Sequence, residues 1–182
     1  AAFMTGLERN ADVVLMASYA PLLAHVEGWQ WRPDLVWFDN LNVMRTCSYY
    51  VQQLYACNKG TEVLPLTMEG RPVAGKEGQN QLYASVVKDS GKNEYIVKVA
   101  NLSSDLQEIS ICFTRLPRRQ KLAPEVCCTT LHSDNLNGEN TIEDPDQIAP
   151  VRSLITDGLK DNTLTTVIGP KTFAVYKLTY SE

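Results

Sequence analysis

Acid–base hydrolysis needs two carboxylates that face one another across a reacting bond, and the first sixty residues hold five candidates: Glu8, Asp12, Glu27, Asp34 and Asp39. Their spacing pairs none of them as acid and nucleophile. Asn93-Glu94 is an Asn-Glu dipeptide of the kind that carries a catalytic acid, but it falls at the start of a hairpin strand and is set aside. No Gly-x-Ser-x-Gly elbow, phosphate-cradling glycine loop or His-Glu-x-x-His run occurs. Cys127, Cys128 and His132 are the nearest thing to a metal cluster. In a strand, Cys127 and Cys128 point to opposite faces and cannot grip one ion together, and His25 is the only other histidine. The expectation is therefore no catalytic residue, no metal and no cofactor. The five cysteines, Cys47, Cys57, Cys112, Cys127 and Cys128, are an odd count with one adjacent pair. That is a poor disulfide framework, and they read as ordinary buried thiols.

The residues left with binding chemistry are aromatic. Trp29, Trp31 and Tyr19 cluster in a connector running from Tyr19 to Pro33. Indole and phenol rings there can stack on the apolar C–H face of a sugar, or they can plug the end of a core.

The elements that would position this connector follow from periodicity. Ala1–Arg9 places Phe3, Met4 and Leu7 on one face and reads as the last turns of a helix, so the first residue is expected to lie inside a longer chain. Val13–Ser18 is an unbroken apolar run, which suits a strand covered on both faces as in a parallel sheet. Tyr50, Leu54 and Cys57 recur at helical spacing with Val51 and Tyr55 on the flank. Ser48 is placed to cap that helix, and Asn58-Lys59-Gly60 to stop it. Helix, buried strand, aromatic loop and helix make one and a half repeats of an α/β fold.

Beyond Gly60 no helix is predicted. Gln81–Lys88 and Glu94–Ala100 form a hairpin across Asp89-Ser90-Gly91-Lys92-Asn93. Leu106–Thr114 sends Ile109, Ile111 and Phe113 to one face, and Val126–Leu131 and Leu164–Ile168 add strands. Phe173–Tyr180 alternates Ala174, Tyr176, Leu178 and Tyr180 against Phe173 and Val175. Short strands with turn connections predict an antiparallel β-sandwich. The polar stretch Asn135–Asp157, broken by Pro145 and Pro150, is expected to drape over it as a surface loop. Arg115, Arg118, Arg119 and Lys121 read as a solvated hairpin tip. The predicted architecture is mostly β, with a sandwich over residues 61–182 preceded by a partial α/β unit over residues 1–60.

Bulk properties agree. The chain has 182 residues, 44% of them hydrophobic, which is ample for a core. A formal net charge of −4 argues against nucleic acid as the partner. No apolar run is long enough to span a bilayer, and the first residues lack the order of a secretion signal. The cellular compartment is not set by these features.

AAFMTGLERNADVVLMASYAPLL, WRPDLVWFDN and SYYVQQLY together resemble the C-terminal portion of α-L-arabinofuranosidases of glycoside hydrolase family 51. NTLTTVIGPKTFAVYKL and PVRSLITDG are similar to the last strands of that family's terminal sandwich. The sequence departs from the family at Met44-Arg45-Thr46-Cys47, where Tyr-Gly-Thr-Pro is expected ahead of the last helix. The resemblance implies a (β/α)8 barrel joined to a jelly-roll sandwich, and retaining hydrolysis by two glutamates about 5 Å apart. Both glutamates belong to barrel strands upstream of this segment, so the isolated chain is expected to be inactive. Val13–Ser18 would be the eighth barrel strand, the helix from Ser48 the last barrel helix, and Tyr19 and Trp31 would border the sugar pocket. The implied partners are an arabinose-containing oligo- or polysaccharide and the upstream barrel, and a homo-oligomer is compatible with this reading. The alternative is a non-catalytic carbohydrate-binding module, which needs an aromatic platform on the sandwich, yet all three tryptophans precede Gly60.

Overall fold

A computed structural model describes residues 1–181. In chain order the elements are α1 (Ala2–Arg9), β1 (Leu23–His25), β2 (Val36–Phe38), β3 (Val43–Arg45), α2 (Cys47–Cys57), β4 (Glu62–Leu64), β5 (Thr67–Met68), β6 (Arg71–Pro72), β7 (Leu82–Asp89), β8 (Glu94–Asn101), β9 (Gln107–Cys112), β10 (Lys121–Leu131), β11 (Val151–Ile155), β12 (Leu159–Lys160), β13 (Thr163–Ile168) and β14 (Thr172–Ser181). Among the described residues no helix is long and apolar enough to cross a membrane.

The organising element is a six-stranded antiparallel sheet in the order β11-β10-β14-β8-β7-β4. Its central strands are buried on both faces, because alternate side chains enter two different cores. Tyr95, Val97 and Val99 of β8 join Ala174, Tyr176, Leu178 and Tyr180 of β14. They pack against the second sheet, β12-β13-β9, through Ile109, Leu164 and Ile168. Ile96, Ala100, Phe173 and Val175 face the other way and pack against Tyr50, Leu54 and Tyr55 of α2. The sandwich expected from the alternation is therefore present, and one outer face of it is covered by helix.

Local chemistry sets the turns. Between β7 and β8, Asp89 Oδ1 accepts the amides of Gly91 (3.0 Å) and Lys92 (3.1 Å), and Asn93 takes the left-handed conformation at φ 55°. After α2, Gly60 lies at φ +66°, and a Cβ there would come within 2.7 Å of Val87 Cγ2 and 2.8 Å of the Lys88 carbonyl. Only glycine fits that approach. Val151–Ile155 lies within the stretch expected to be a loop, but it forms the outermost strand of the large sheet, where a lack of alternation is tolerated.

The first sixty residues differ from expectation in several ways. Val13–Ser18 is not a strand: its start turns back on α1, with the Val13 and Val14 amides donating to Asn10 O, and the remainder is unpaired. Leu15 is 90% exposed, and Val13 and Met16 are also open to solvent. A parallel strand draws its hydrogen bonds from neighbours on either side, and none lies beside this run among the described residues. The connector after Tyr19 contains β1, which pairs in parallel with β2, and β2 pairs antiparallel with β3. The cap of α2 is Thr46, whose Oγ1 accepts from Tyr49 N at 3.2 Å, and not Ser48. The buried stripe of α2 runs through Tyr50, Leu54 and Tyr55, leaving Cys57 exposed. The Tyr55 ring stacks on Phe173 at 5.4 Å and 3°, which fixes that rotation. All five cysteines are free, but only Cys128 is buried, so the buried-thiol expectation fails for Cys57 and Cys112 in particular.

Candidate functional site

Three elements meet on the helical face of the large sheet. Only part of the apolar stripe of α1 docks: Met4 packs against the core of Tyr50, Leu54 and Phe173, whereas Phe3 is exposed; Thr5, Glu8 and Arg9 supply the polar contacts. Arg9 Nη1 donates to the carbonyls of Ala84 (2.7 Å) and Val73 (3.2 Å). Lys98 stands in the middle of β8, on the helical face, and is 0% exposed. Its Nζ donates to Glu8 Oε1 at 2.6 Å and to the Asn58 carbonyl at the end of α2 at 2.7 Å, and it lies 5.3 Å from the Tyr55 ring centroid. Glu8 Oε2 accepts from the Ser85 hydroxyl at 2.6 Å. Burial pushes the Lys98 ammonium below its ordinary pKa, and the Glu8 carboxylate works in the opposite direction. One lysine thus ties both helices to the sandwich.

At the other end of α2 from this clamp, a cleft of about 480 Å³ opens between the β1–β3 layer, the start of α2 and the loop 138–143. Asn140 holds that loop in place. Its Nδ2 donates to Arg45 O (2.8 Å) and Ile148 O (3.0 Å), and its Oδ1 accepts from Ile148 N (2.7 Å). Trp37 is 6% exposed and Trp29, beside it, 47%; their rings meet edge to face at 5.8 Å. The Arg32 guanidinium lies 5.4 Å from the Trp29 ring centroid and 5.0 Å from that of Trp37, and its Nη1 is 3.6 Å from Glu139 Oε2 on the loop. Asp34 also lines the cleft. It is 3% exposed, and its Oδ2 has no hydrogen-bond partner.

Of the carboxylates singled out from the sequence, Asp34 and Asp39 both line this cleft. Glu8 is committed to the clamp. Asp39 closes its own turn, where the amide of Leu41 first, and then Asn42, hold its carboxyl below the ordinary range. Asp12 and Glu27 are exposed. Among the described residues no group of three or more His, Cys, Asp or Glu is placed to hold a metal. Cys128 lies in the sandwich core, and His132 bonds Asp134 and Thr172 instead.

Tyr19 and Trp31 are not brought together. Tyr19 borders a separate groove with Phe3 and Met4 of α1 and Val51 of α2. Trp31 is 63% exposed and outside the residues lining either space. Neither Trp29 nor Trp31 plugs a core; Trp37 does. Sequence reasoning counted Asp34 only as one of five unpaired carboxylates and missed Trp37 and the 138–143 loop as its neighbours in the cleft. The available signal was a carboxylate directly after Pro33 at the head of an apolar strand.

On the sandwich, the exposed large hydrophobics are Leu102, Leu106, Leu136, Val151, Leu154 and Val167, with no aromatic ring among them. This is a β-sandwich carrying an α/β shoulder, and among the described residues its exposed large hydrophobics are all aliphatic.

A family model for the α-L-arabinofuranosidase C-terminal domain matches residues 1–171. The chain belongs to that family and corresponds to the C-terminal portion of family 51 glycoside hydrolases. It is 31% identical over 180 residues to α-L-arabinofuranosidase 1 of Arabidopsis thaliana, covering 98% of this chain and 25% of that protein. An extracellular exo-α-L-arabinofuranosidase of Streptomyces chartreusis is 62% identical over 65 residues, 36% of this chain and 8% of its own. Arabinose-bound MgGH51 α-L-arabinofuranosidase superposes at a TM-score of 0.84 with 34% identity, covering 98% of this chain and 26% of that one. The Thermotoga maritima α-L-arabinofuranosidase shares the fold at a TM-score of 0.71 and 17% identity, over 96% of this chain and 36% of its own. The chain spans a quarter or less of the length of these curated relatives.

Proposed function

We propose that this chain is the C-terminal region of a retaining α-L-arabinofuranosidase that releases terminal non-reducing arabinofuranosyl residues from arabinose-containing oligo- or polysaccharides. Residues 1–60 close a (β/α)8 catalytic barrel, and residues 61–182 form the sandwich that supports it. The barrel's two glutamates lie on the upstream portion, so the isolated chain is inactive and takes no cofactor.

The observation that carries this reading is the contrast along the first eighteen residues. α1 is fastened to the sandwich by a buried ion pair and by Arg9, whereas the apolar run from Val13 that follows it is open on both faces. An exposed apolar run has large unburied area to gain from flanking strands, and the clamp holds the helix that precedes it in a fixed direction. The sandwich then works as a buttress: rigid support keeps barrel loops within the small tolerances that glycosidic chemistry requires. Tyr19, directly after that run, and Trp31 are proposed to border the sugar pocket of the assembled enzyme. The same uncovered surface favours a homo-oligomer when the chain is alone.

The isolated chain, incubated with an aryl α-L-arabinofuranoside, should release no phenol above the blank. Enzyme-proportional turnover would overturn the assignment of the chemistry to the upstream portion.

A further inference from the structure

We propose that two copies of this chain pair antiparallel along the open edge of β11, with the basic turn before β10 of each copy seated against the acidic loop after β10 of the other.

The charges of this region are sorted by position. Arg115, Arg118, Arg119 and Lys121 fall within one short stretch at the head of β10, and no acid stands among them. From Leu122 to Val151 there is no lysine or arginine, and the loop beyond β10 carries Asp134, Glu139, Glu143, Asp144 and Asp146. β10, Lys121–Leu131, holds the two groups about 30 Å apart at about 3.3 Å per residue. That is several times the Debye length of about 8 Å at physiological salt, so neither end neutralises the other within one molecule.

Both ends are held in shape. At the basic turn Gln120 N donates to Pro117 O at 2.8 Å, the Gln120 side chain accepts from the Tyr95 hydroxyl at 2.7 Å, and Leu116 packs on the sandwich core. The four cations around these anchors are exposed, and none forms an ion pair among the described residues. At the other end Asn140 fixes the loop, and Asp144 N donates to Thr141 Oγ1 at 3.1 Å. Glu139 meets Arg32, and Asp146 accepts from the Tyr50 hydroxyl. Glu143 and Asp144 are exposed and form no ion pair among the described residues. Turns already rigid lose little entropy on meeting, and guanidinium–carboxylate pairs add forked hydrogen bonds.

The strand between the two ends completes the surface. β11 pairs with β10 over Val126–Thr130 and is the last strand of the large sheet, so its outer backbone groups have no strand beside them among the described residues. Val151 is 64% exposed and Leu154 55%. Arg152, the one charge on β11, is turned in to Cys127 Sγ at 2.9 Å. Reversing one copy against the other sets unlike charges opposite each other at both ends, whereas a parallel pairing sets like against like. This contact depends neither on the apolar run around Leu15 nor on the activity proposed above.

The test is sedimentation velocity on the 182-residue chain carrying Leu15→Asp, which silences association through that run. Salt is set at about 0.01 M and about 1 M, where the Debye length falls from about 30 Å to about 3 Å. The expected result is a dimer at low salt whose dissociation constant rises about tenfold or more at high salt. Arg118→Glu/Arg119→Glu and Glu143→Arg/Asp144→Arg should each be monomeric alone. Their equimolar mixture should recover the dimer, because each variant then meets its opposite at both ends. All four side chains are exposed, and urea midpoints at the parent's value establish that the variants fold. Leu154→Asp, on the edge itself, should weaken the dimer as well; a parent-like dimer in that variant would overturn the β11 contact. A chain that stays monomeric at low salt, a dimer indifferent to salt, or a mixture of folded variants that stays monomeric would overturn the pairing.

Discussion

Replacing Lys98 by Met should be the most damaging single change on the helical face of the sheet. Lys98 is fully buried, and Glu8, its 2.6 Å partner, has a side chain only 10% exposed. Removing one member of such a pair leaves a buried charge uncompensated, which costs about 3–5 kcal/mol. Glu8 keeps the Ser85 hydroxyl and can turn partly towards water, so the lower end, about 3 kcal/mol, is expected. Against a typical domain stability of about 5–15 kcal/mol that is a large fraction. With a urea m-value of about 2 kcal/mol/M, the midpoint falls by about 1.5 M. Glu8→Met should cost less, because Lys98 retains the Asn58 carbonyl and the Tyr55 ring, and burial already favours its neutral form. The double variant Lys98→Met/Glu8→Met leaves no charge behind and should return to within about 1 kcal/mol of the parent. Urea unfolding of the four proteins closes the cycle. A Lys98→Met variant within about 1 kcal/mol of the parent, or a double variant as unstable as the sum of the singles, would refute the clamp.

Other outcomes follow from the same packing. Asn140→Ala strips partners from the Arg45 carbonyl and from both backbone groups of Ile148; it should cost about 2–4 kcal/mol and open residues 135–150 to limited proteolysis, and a resistant loop would contradict this anchor. Burial pushes the Cys128 thiol up to about 11 from 9.0. The unfolded state therefore binds fewer protons than the folded state between those values, and stability should fall by about 2–3 kcal/mol across that window. Cys128→Ala should flatten that slope whatever it does to the baseline, as urea midpoints measured at several alkaline pH values will show. The uncovered run around Leu15 should make the isolated chain self-associate with rising concentration in light scattering. A strictly monomeric species would count against it.

What the sequence disclosed was local. The Asp89–Asn93 turn and the alternation along Phe173–Tyr180 specify a hairpin and a two-faced strand without reference to anything distant, and both stand as expected. The two faces of that strand even separate the two cores. What stayed hidden depended on partners far along the chain. Val13–Ser18 has the composition of a doubly covered strand, but composition does not supply neighbours. Three-residue strands such as β1 fall below the length at which periodicity speaks. Thr46 and Ser48 are both hydroxyl caps by type, and only the backbone decides between them. Asp34 looked like any loop carboxylate because its companions in the cleft, Met44 of β3 and the 138–143 loop, come from later in the chain. Lys98 was legible in hindsight: a lysine at an inward position of an otherwise apolar strand demands an acid, and Glu8 was the one brought to it.

The central claim is that this chain braces a catalyst whose reacting groups lie upstream. It is tested most directly by assaying, on one aryl α-L-arabinofuranoside, the isolated chain beside the longer polypeptide in which the chain is joined to its own upstream sequence. The account predicts turnover by the longer protein with the anomeric configuration retained, and none by the isolated chain. Turnover by the isolated chain, or a folded longer protein with no arabinofuranosidase activity, would contradict it.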